Sequence, residues 1–167
     1  MKMHIRHRFD CSAQRLWDLV LDADYQDAVD KQSGLSRELL SERKTARELT
    51  RKIRFTPDKM LPPAMARAVG RDKMTYVQEQ RWKLNELKMF WTVVPDVMGD
   101  RVRSKGDFLL RAVGPEQVER IVSGEITASI PLMGSRVEKL VVADIEKGYE
   151  RTAELTREWL LKPFLKA

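Results

Sequence analysis

Residues 135–162 constrain the fold of this chain more than any other stretch. Val137, Val141, Ile145, Gly148, Thr152, Leu155 and Trp159 recur in alternating steps of four and three, the spacing of one helical face. Ser135 and Glu138 have the spacing of a capping box, in which each side chain satisfies an orphan backbone donor near the other. Pro163 ends the pattern, because it brings no donor and pushes the residue before it out of the helical region. At 1.5 Å per residue such a helix runs roughly 40 Å, enough to cross a whole sheet. A stripe of that length requires one broad apolar surface to lie on, and Gly148 within it is expected to mark a close approach to that surface.

Strands supply the surface. Lys2–Phe9 alternates Met3, Ile5, His7 and Phe9 with Lys2, His4, Arg6 and Arg8. Ser12 then caps a short helix on which Ala13, Leu16, Trp17 and Val20 share a face, and a second short helix through Tyr25, Ala28 and Val29 runs out at Ser33 and Gly34. From Leu35 the period falls to two, with runs at 35–40, 46–55, 74–84, 88–94, 102–113 and 118–130. Asn85-Glu86-Leu87, Met98-Gly99-Asp100 and Gly114-Pro115-Glu116 carry turn chemistry between runs, so neighbours are expected to pair antiparallel. Counting the first, this predicts seven strands, an α+β fold with the long helix across the concave face of one antiparallel sheet.

At 167 residues the chain is expected to form a single domain over 1–167, large enough to bury roughly 70% of its unfolded surface and to keep a hollow in its core. The lone Cys11 excludes an internal disulfide and fits a reducing compartment. His4, Arg6, His7 and Arg8 stand where a signal peptide needs an apolar run, and no stretch approaches the length of a membrane span, so the expected location is the cytoplasm. The formal charge of +6 is regional: residues 37–73 hold 11 Lys and Arg against 5 Asp and Glu. Such a face suits phospholipid head groups, nucleic acid or an anionic partner, or is simply solvated.

Residues 56–73 interrupt the strands. Pro57, Pro62, Pro63 and Gly70 forbid a central strand, Ala64, Met65, Ala66 and Val69 allow one short helix, and Met60, Leu61 and Met65 are too apolar for a plain linker. Two readings stand: a lid carrying Met60, Leu61 and Met65, or a loop stapled down by its methionines. On 102–113, Ser104, Gly106, Phe108, Leu110 and Ala112 share the inward parity; on 118–130, Val122, Gly124, Ile126, Ala128 and Ile130 do. Their small members either bend the strands or leave a void, and a void is the expectation. The parity of 74–84 that carries Tyr76 and Trp82 also carries Gln78 and Gln80, which either orient a ligand inside or meet solvent near the end of the sheet. Arg51 shares parity with Leu49, Ile53 and Phe55; placed inward it needs an anion, from a ligand or from a protein acid.

Catalytic signals are sparse. His4 and His7 fall on opposite parities of one strand and cannot converge, and His7 suits a hydrogen-bonded core position. One cysteine, no His-x-x-x-His spacing, no calcium loop, no phosphate loop and no nucleophile elbow leave no catalytic residue, metal site or cofactor to assign.

Phe9-Asp10-Cys11-Ser12-Ala13-Gln14-Arg15-Leu16-Trp17, the run 124–134 with Ile130-Pro131-Leu132-Met133-Gly134, then Val137-Glu138-Lys139 and Thr156-Arg157-Glu158-Trp159-Leu160 resemble an uncharacterised bacterial family of the START-like, polyketide cyclase superfamily. The resemblance covers essentially the whole chain and rests on structural motifs. It implies a helix-grip fold, in which a seven-stranded curved antiparallel sheet grips a long C-terminal helix after two short helices, with a hydrophobic cavity between sheet and helix. Joined to the residue readings, it leads us to expect binding or carrying of a hydrophobic or amphiphilic small molecule with an anionic head on Arg51. Ile53, Phe55, Tyr76, Gln78, Gln80, Trp82, Trp91, Phe108, Ile126, Val141 and Ile145 complete the expected cavity wall. Transient contact with a membrane surface fits the basic rim; nucleic acid is set aside because the exposed parity of 46–55 offers no stacking ring. Two alternatives stay open: a cyclase or aromatase in which Tyr76, His7 or Arg51 positions a polyketide, and a basic protein-interaction module.

Overall fold

The computed structural model describes residues 1–97 and 99–162. Its elements run β1 (Lys2–Phe9), α1 (Ala13–Val20), α2 (Ala23–Ser33), β2 (Leu35–Lys44), β3 (Glu48–Pro57), α3 (Pro63–Val69), β4 (Tyr76–Lys83), β5 (Lys88–Pro95), a 3-10 turn (Gly99–Arg101), β6 (Val102–Gly114), β7 (Gln117–Ala128) and α4 (Gly134–Leu160). The seven strands form one antiparallel sheet in the order β1-β7-β6-β5-β4-β3-β2. This is the α+β arrangement of seven antiparallel strands and a long helix expected from the periodicity, and the helix-grip architecture that the resemblance implied. Met98 of the expected turn and Pro163, the expected helix stop, lie outside the described residues.

β1 and β2 follow one another in sequence but form opposite edges of the sheet. The chain must therefore cross the open face between them, and α1 and α2 make that crossing. Ser12 caps α1 by accepting from Arg15 N, Asp22 caps α2 by accepting from Tyr25 N, and Gly34 ends α2 in the left-handed region at φ 64°. α1 buries Leu16, Trp17, Leu19 and Val20, and the Trp17 ring meets Trp82 of β4 edge-on at 5.4 Å between centroids. On β2 the register slips between Leu39 and Ser41, so Leu39 faces Ile53 while Glu42, rather than Ser41, faces Arg51.

The long helix departs from its expected form in three ways. It begins at Gly134 with Met133 at the cap position and no capping side chain, so the Ser135–Glu138 box does not form. Glu138 is engaged elsewhere: its two carboxylate oxygens accept from the backbone N–H of Ala128 at 2.9 Å and from the amino group of Met1 at 3.2 Å. Its buried face is also rotated from the expected stripe, with Val137, Val142, Ala153 and Thr156 innermost. Finally, a Cβ built on Gly148 meets nothing within 4 Å, so this glycine marks no close approach. A helical glycine with open space where a Cβ would stand costs backbone entropy and protects no contact. Gly148→Ala should therefore raise stability by about 0.5–1 kcal/mol, measurable as a higher denaturant midpoint; a loss would show that a neighbour occupies the space after all.

Two apolar clusters fill the grip. The larger joins α1, the centre of the sheet and the later turns of α4 through residues such as Trp17, Trp82, Phe108, Val122 and Ala153. The smaller sits at the other end, where Met65 of α3 meets Val102, Ala128 and Val137. Ile53 and Phe55 are buried but belong to neither.

Candidate functional site

The concave face is built row by row from the strand register. Arg51, Gln80, Trp91, Gly106 and Gly124 lie side by side across β3, β4, β5, β6 and β7. The next row holds Ile53, Gln78, Val93, Ser104 and Ile126. The Trp91 indole lies over the two glycines: a Cβ built on Gly106 would stand 2.6 Å from its Cζ2, and one built on Gly124 2.9 Å from the same atom. The expected void is thus occupied, and the correction has a simple cause. Small residues on β6 and β7 make room for the large residue that their neighbour β5 presents to them. The indole Nε1 is buried there without a hydrogen-bond partner.

A polar ladder runs along the inner side of β4. Trp82 Nε1 donates to Gln80 Oε1 at 3.0 Å, and Gln80 Nε2 donates to Gln78 Oε1 at 2.8 Å. Beyond Gln78, the Tyr76 ring stacks on Phe55 at 5.4 Å, and the Arg37 guanidinium lies 5.2 Å from the Phe55 centroid. Arg37 makes a two-pronged ion pair with the buried Asp30 and also donates to Gln26. Burial first, then the negative charges of Asp30 and Asp144, push the Tyr76 hydroxyl up to about 12, with Arg37 opposing them. Tyr76 is therefore a neutral hydrogen-bond donor at any physiological pH. Arg51 carries the inward parity but is not free, because its Nε donates to Glu42 Oε2 at 2.7 Å.

The residues expected to form the site fall into two groups. Trp82, Trp91, Phe108 and Ile126 are buried in the larger apolar cluster, with Val141 and Ile145 of α4 packed against it. Arg51, Ile53, Phe55, Tyr76, Gln78 and Gln80 share the concave face of β3 and β4, where the first and the last three are only half-buried. This part of the face is thus partly open. In the 56–73 segment Met65 is buried in the smaller cluster, Leu61 packs against it and Met60 is 62% exposed. A tight apolar crevice lies under α3 between Met65, Met74, Val102 and Val137.

A shallow groove of about 370 Å³ crosses β3, β4 and β5, lined by Thr50, Lys52, Glu79, Arg81, Phe90 and Thr92 of the convex parity and also by Ser41, Arg51, Gln80 and Trp91. Within it Lys52 pairs with Glu79 at 3.7 Å and Arg81 lies 5.1 Å from the Phe90 centroid, and beside it Lys88 pairs with Asp107 at 3.2 Å. The regional basic excess of 37–73 is offset only in part in this way. Asp30, Glu79 and Asp96, all outside that segment, pair with Arg37, Lys52 and Arg71 within it. Among the described residues no group of three or more His, Cys, Asp or Glu side chains is gathered as a metal ion requires. No described helix is long and apolar enough to cross a membrane.

The sequence reading missed Arg120, whose parity with Val118 and Val122 was the available signal. It is 2% exposed, with its guanidinium 5.1 Å from the ring centroids of both Phe9 and Tyr149. Its Nη2 donates to His7 Nδ1 at 3.1 Å and to the Tyr149 carbonyl at 3.2 Å, while Nε has no partner. An arginine only donates, so His7 carries its proton on Nε2 and donates it to Glu150 at 2.9 Å. Burial, then the Arg120 charge, lowers the His7 pKa from 6.5, against the opposing pull of Glu150. The unfolded chain then binds more protons than the folded one as pH falls below about 6.5, and stability should decline through that range. His7→Gln should flatten this slope; an unchanged slope between pH 7.5 and 5.5 in urea titrations would show that other groups set it.

The sequence family described as "Protein of unknown function (DUF2505)" matches residues 4–160. No curated protein matches the chain. Among solved structures, TTHA0849 from Thermus thermophilus superposes with a TM-score of 0.67 at 15% identity, covering 97% of this chain and 100% of that one. The Zhui aromatase/cyclase from Streptomyces sp. R1128 gives 0.65 at 11% identity and 100% coverage of both chains. A START superfamily protein from Mycobacterium smegmatis gives 0.60 at 14%, covering 95% of this chain and 98% of that one. These likenesses agree with the topology above, and the family match extends from β1 to the end of α4. The chain belongs to the DUF2505 family and has the START-like helix-grip fold.

Proposed function

We propose that the protein holds a hydrophobic or amphiphilic small molecule between α4 and the concave faces of β3, β4 and β5. The observation that carries this reading is the interruption of the core. Ile53 and Phe55 are buried yet join neither apolar cluster, and beside them stand the half-buried Tyr76, Gln78 and Gln80. Apolar walls with a few fixed polar groups are the composition of a ligand site. The segment around α3 packs through Met65 on Val102, Ala128 and Val137, and its exposed Met60 suits passing contact with an apolar or membrane surface during loading.

The aromatase/cyclase among the similar folds raises an enzymatic alternative, but the groups it would need do not converge. His7 is on β1, four strand spacings or about 19 Å from β4 and Tyr76. Tyr76 stays protonated, and Arg51 is tied to Glu42. A carrier fits these facts better.

Native mass spectrometry of the purified protein, with bound small molecules extracted and weighed, tests the reading. Val93 is half-buried on the row of Ile53 and Gln78. Val93→Trp should fill the space beside them and lower the affinity for decanol at least tenfold, as displaced apolar contact predicts. If wild type binds no amphiphile, or Val93→Trp binds it equally well, the site is not here.

A further inference from the structure

The chemistry of this same cleft also limits what kind of head group it can take, an inference that rests on the reading above. Two cations reach its edge, and both are spent. Arg37 is held in a two-pronged pair by Asp30, and Arg51 by Glu42. In the polar ladder the carbonyl oxygens of Gln80 and Gln78 are already engaged, each accepting one proton, from Trp82 and Gln80 respectively. What remains is a set of donors. Trp91 Nε1 is buried without an acceptor, and neither the Gln78 amide N–H groups nor the Tyr76 hydroxyl has a hydrogen-bond partner among the described residues.

Of these only the Trp91 N–H is shut off from water; Gln78 and Tyr76 are half-buried, and an occupant that accepts from them takes the place of water. A carboxylate would also accept. It would, however, have to be stripped of water with no free cation to compensate, close to Asp30, Glu42 and the exposed Asp144 of α4. We propose that the cleft selects a neutral molecule whose polar end accepts hydrogen bonds, a carbonyl or hydroxyl compound, over the carboxylate of the same carbon skeleton. This reverses the anionic head group expected from the inward parity of Arg51, the regional basic excess and the small inward residues taken together. An arginine on an inward parity attracts an anion only if the protein has not already supplied one.

The experiment compares decanamide, 1-decanol, decanoic acid and decylamine, each titrated below its aggregation concentration at pH 7.5 and fixed ionic strength, with the tryptophan fluorescence as readout. Decanamide and decanol should bind wild type at least tenfold tighter than decanoate. Glu42→Gln, on the exposed edge strand, removes the carboxylate that neutralises Arg51, and should raise decanoate affinity about tenfold while leaving decanamide within about twofold. Arg51→Met is the second variant and should leave the amide-to-acid ratio within about twofold of wild type, since the arginine is already neutralised. Decanoate or decylamine binding wild type as tightly as decanamide overturns the selectivity and leaves the carrier reading standing, and so does an unchanged ratio in a folded Glu42→Gln. Binding of none of the four overturns the carrier reading and this inference with it.

Discussion

Gly106→Ala is expected to destabilise the protein by about 3 kcal/mol or more, seen as a lower urea midpoint at an unchanged m-value. β6 is an interior strand between β5 and β7, and the position faces inward. A Cβ there would stand 2.1 Å from the Ser123 carbonyl oxygen, 2.6 Å from Trp91 Cζ2 and 2.8 Å from Gly124 Cα. Two of these three neighbours are backbone in the adjoining strand, which can move only by breaking its ladder of hydrogen bonds. Gly124→Ala is expected to be milder, because its Cβ would meet the Lys105 carbonyl at 2.9 Å and the Trp91 ring at 2.9 and 3.0 Å. The two positions also differ in what relieves them. Trp91→Leu should recover more of the loss at Gly124, where the remaining carbonyl is at 2.9 Å, than at Gly106, where it is at 2.1 Å. A Gly106→Ala protein as stable as wild type would mean that the indole and the glycine strip are not in register.

That strip shows where sequence reading stops. Parity alone placed Trp91, Gly106 and Gly124 inward, and all three are inward. Parity does not say which residue lies beside which, so the small residues were read as empty space instead of as the seat of an indole. Arg51 carries the same lesson more sharply. Uninterrupted alternation along β2 from Leu39 would set Ser41 opposite Arg51 and leave the arginine free. The extra residue between Leu39 and Ser41 sets Glu42 there instead. A bulge of that kind has no fixed sequence signature, so neither the partner nor the neutralised charge was legible. Strand boundaries, by contrast, were legible to within a few residues, because period-two alternation and turn chemistry are local properties. The helix stripe was right in extent and rotated in phase. Its innermost residues include Ala153 and Thr156, whose side chains a hydrophobicity pattern underweights; Thr156 is held inside by bonds to the Tyr25 hydroxyl at 2.7 Å and the Thr152 carbonyl at 2.6 Å.

The other large effect is expected at Arg120. Arg120→Ala should cost about 3–5 kcal/mol in chemical denaturation, whereas Arg120→Met should cost about 1.5 kcal/mol or less. The guanidinium is packed between Phe9 and Tyr149, so truncation removes two ring contacts, opens a cavity and strips a donor from His7 and from the Tyr149 carbonyl. Methionine refills most of the volume with a polarizable chain that still suits aromatic neighbours, and it carries no charge to desolvate. The charge itself has a weak claim to stabilise the fold. No carboxylate bonds to it, its Nε is unpaired, and burial pulls its pKa down. Equal losses for the two variants would refute this division and show that the cation, through its hydrogen bonds and ring contacts, is what the core requires. Because His7 gives up its neutral bond in both, the acid dependence of stability should change in both.

The slipped register on β2 has one more consequence, for how copies of this protein behave beside one another. β2 is a ten-residue strand at the rim of the sheet, with one row of backbone donors and acceptors unclaimed by a neighbouring strand, and such a strand is a template for another chain to pair with. An extra residue in mid-strand bends that template and breaks the even spacing an incoming strand would need. Arg37, Glu38, Glu42, Arg43 and Lys44 further punctuate it with charge, leaving Leu39, 53% exposed, as an isolated apolar side chain beside the kink. The irregularity that gives Arg51 its partner thus also discourages edge-to-edge aggregation.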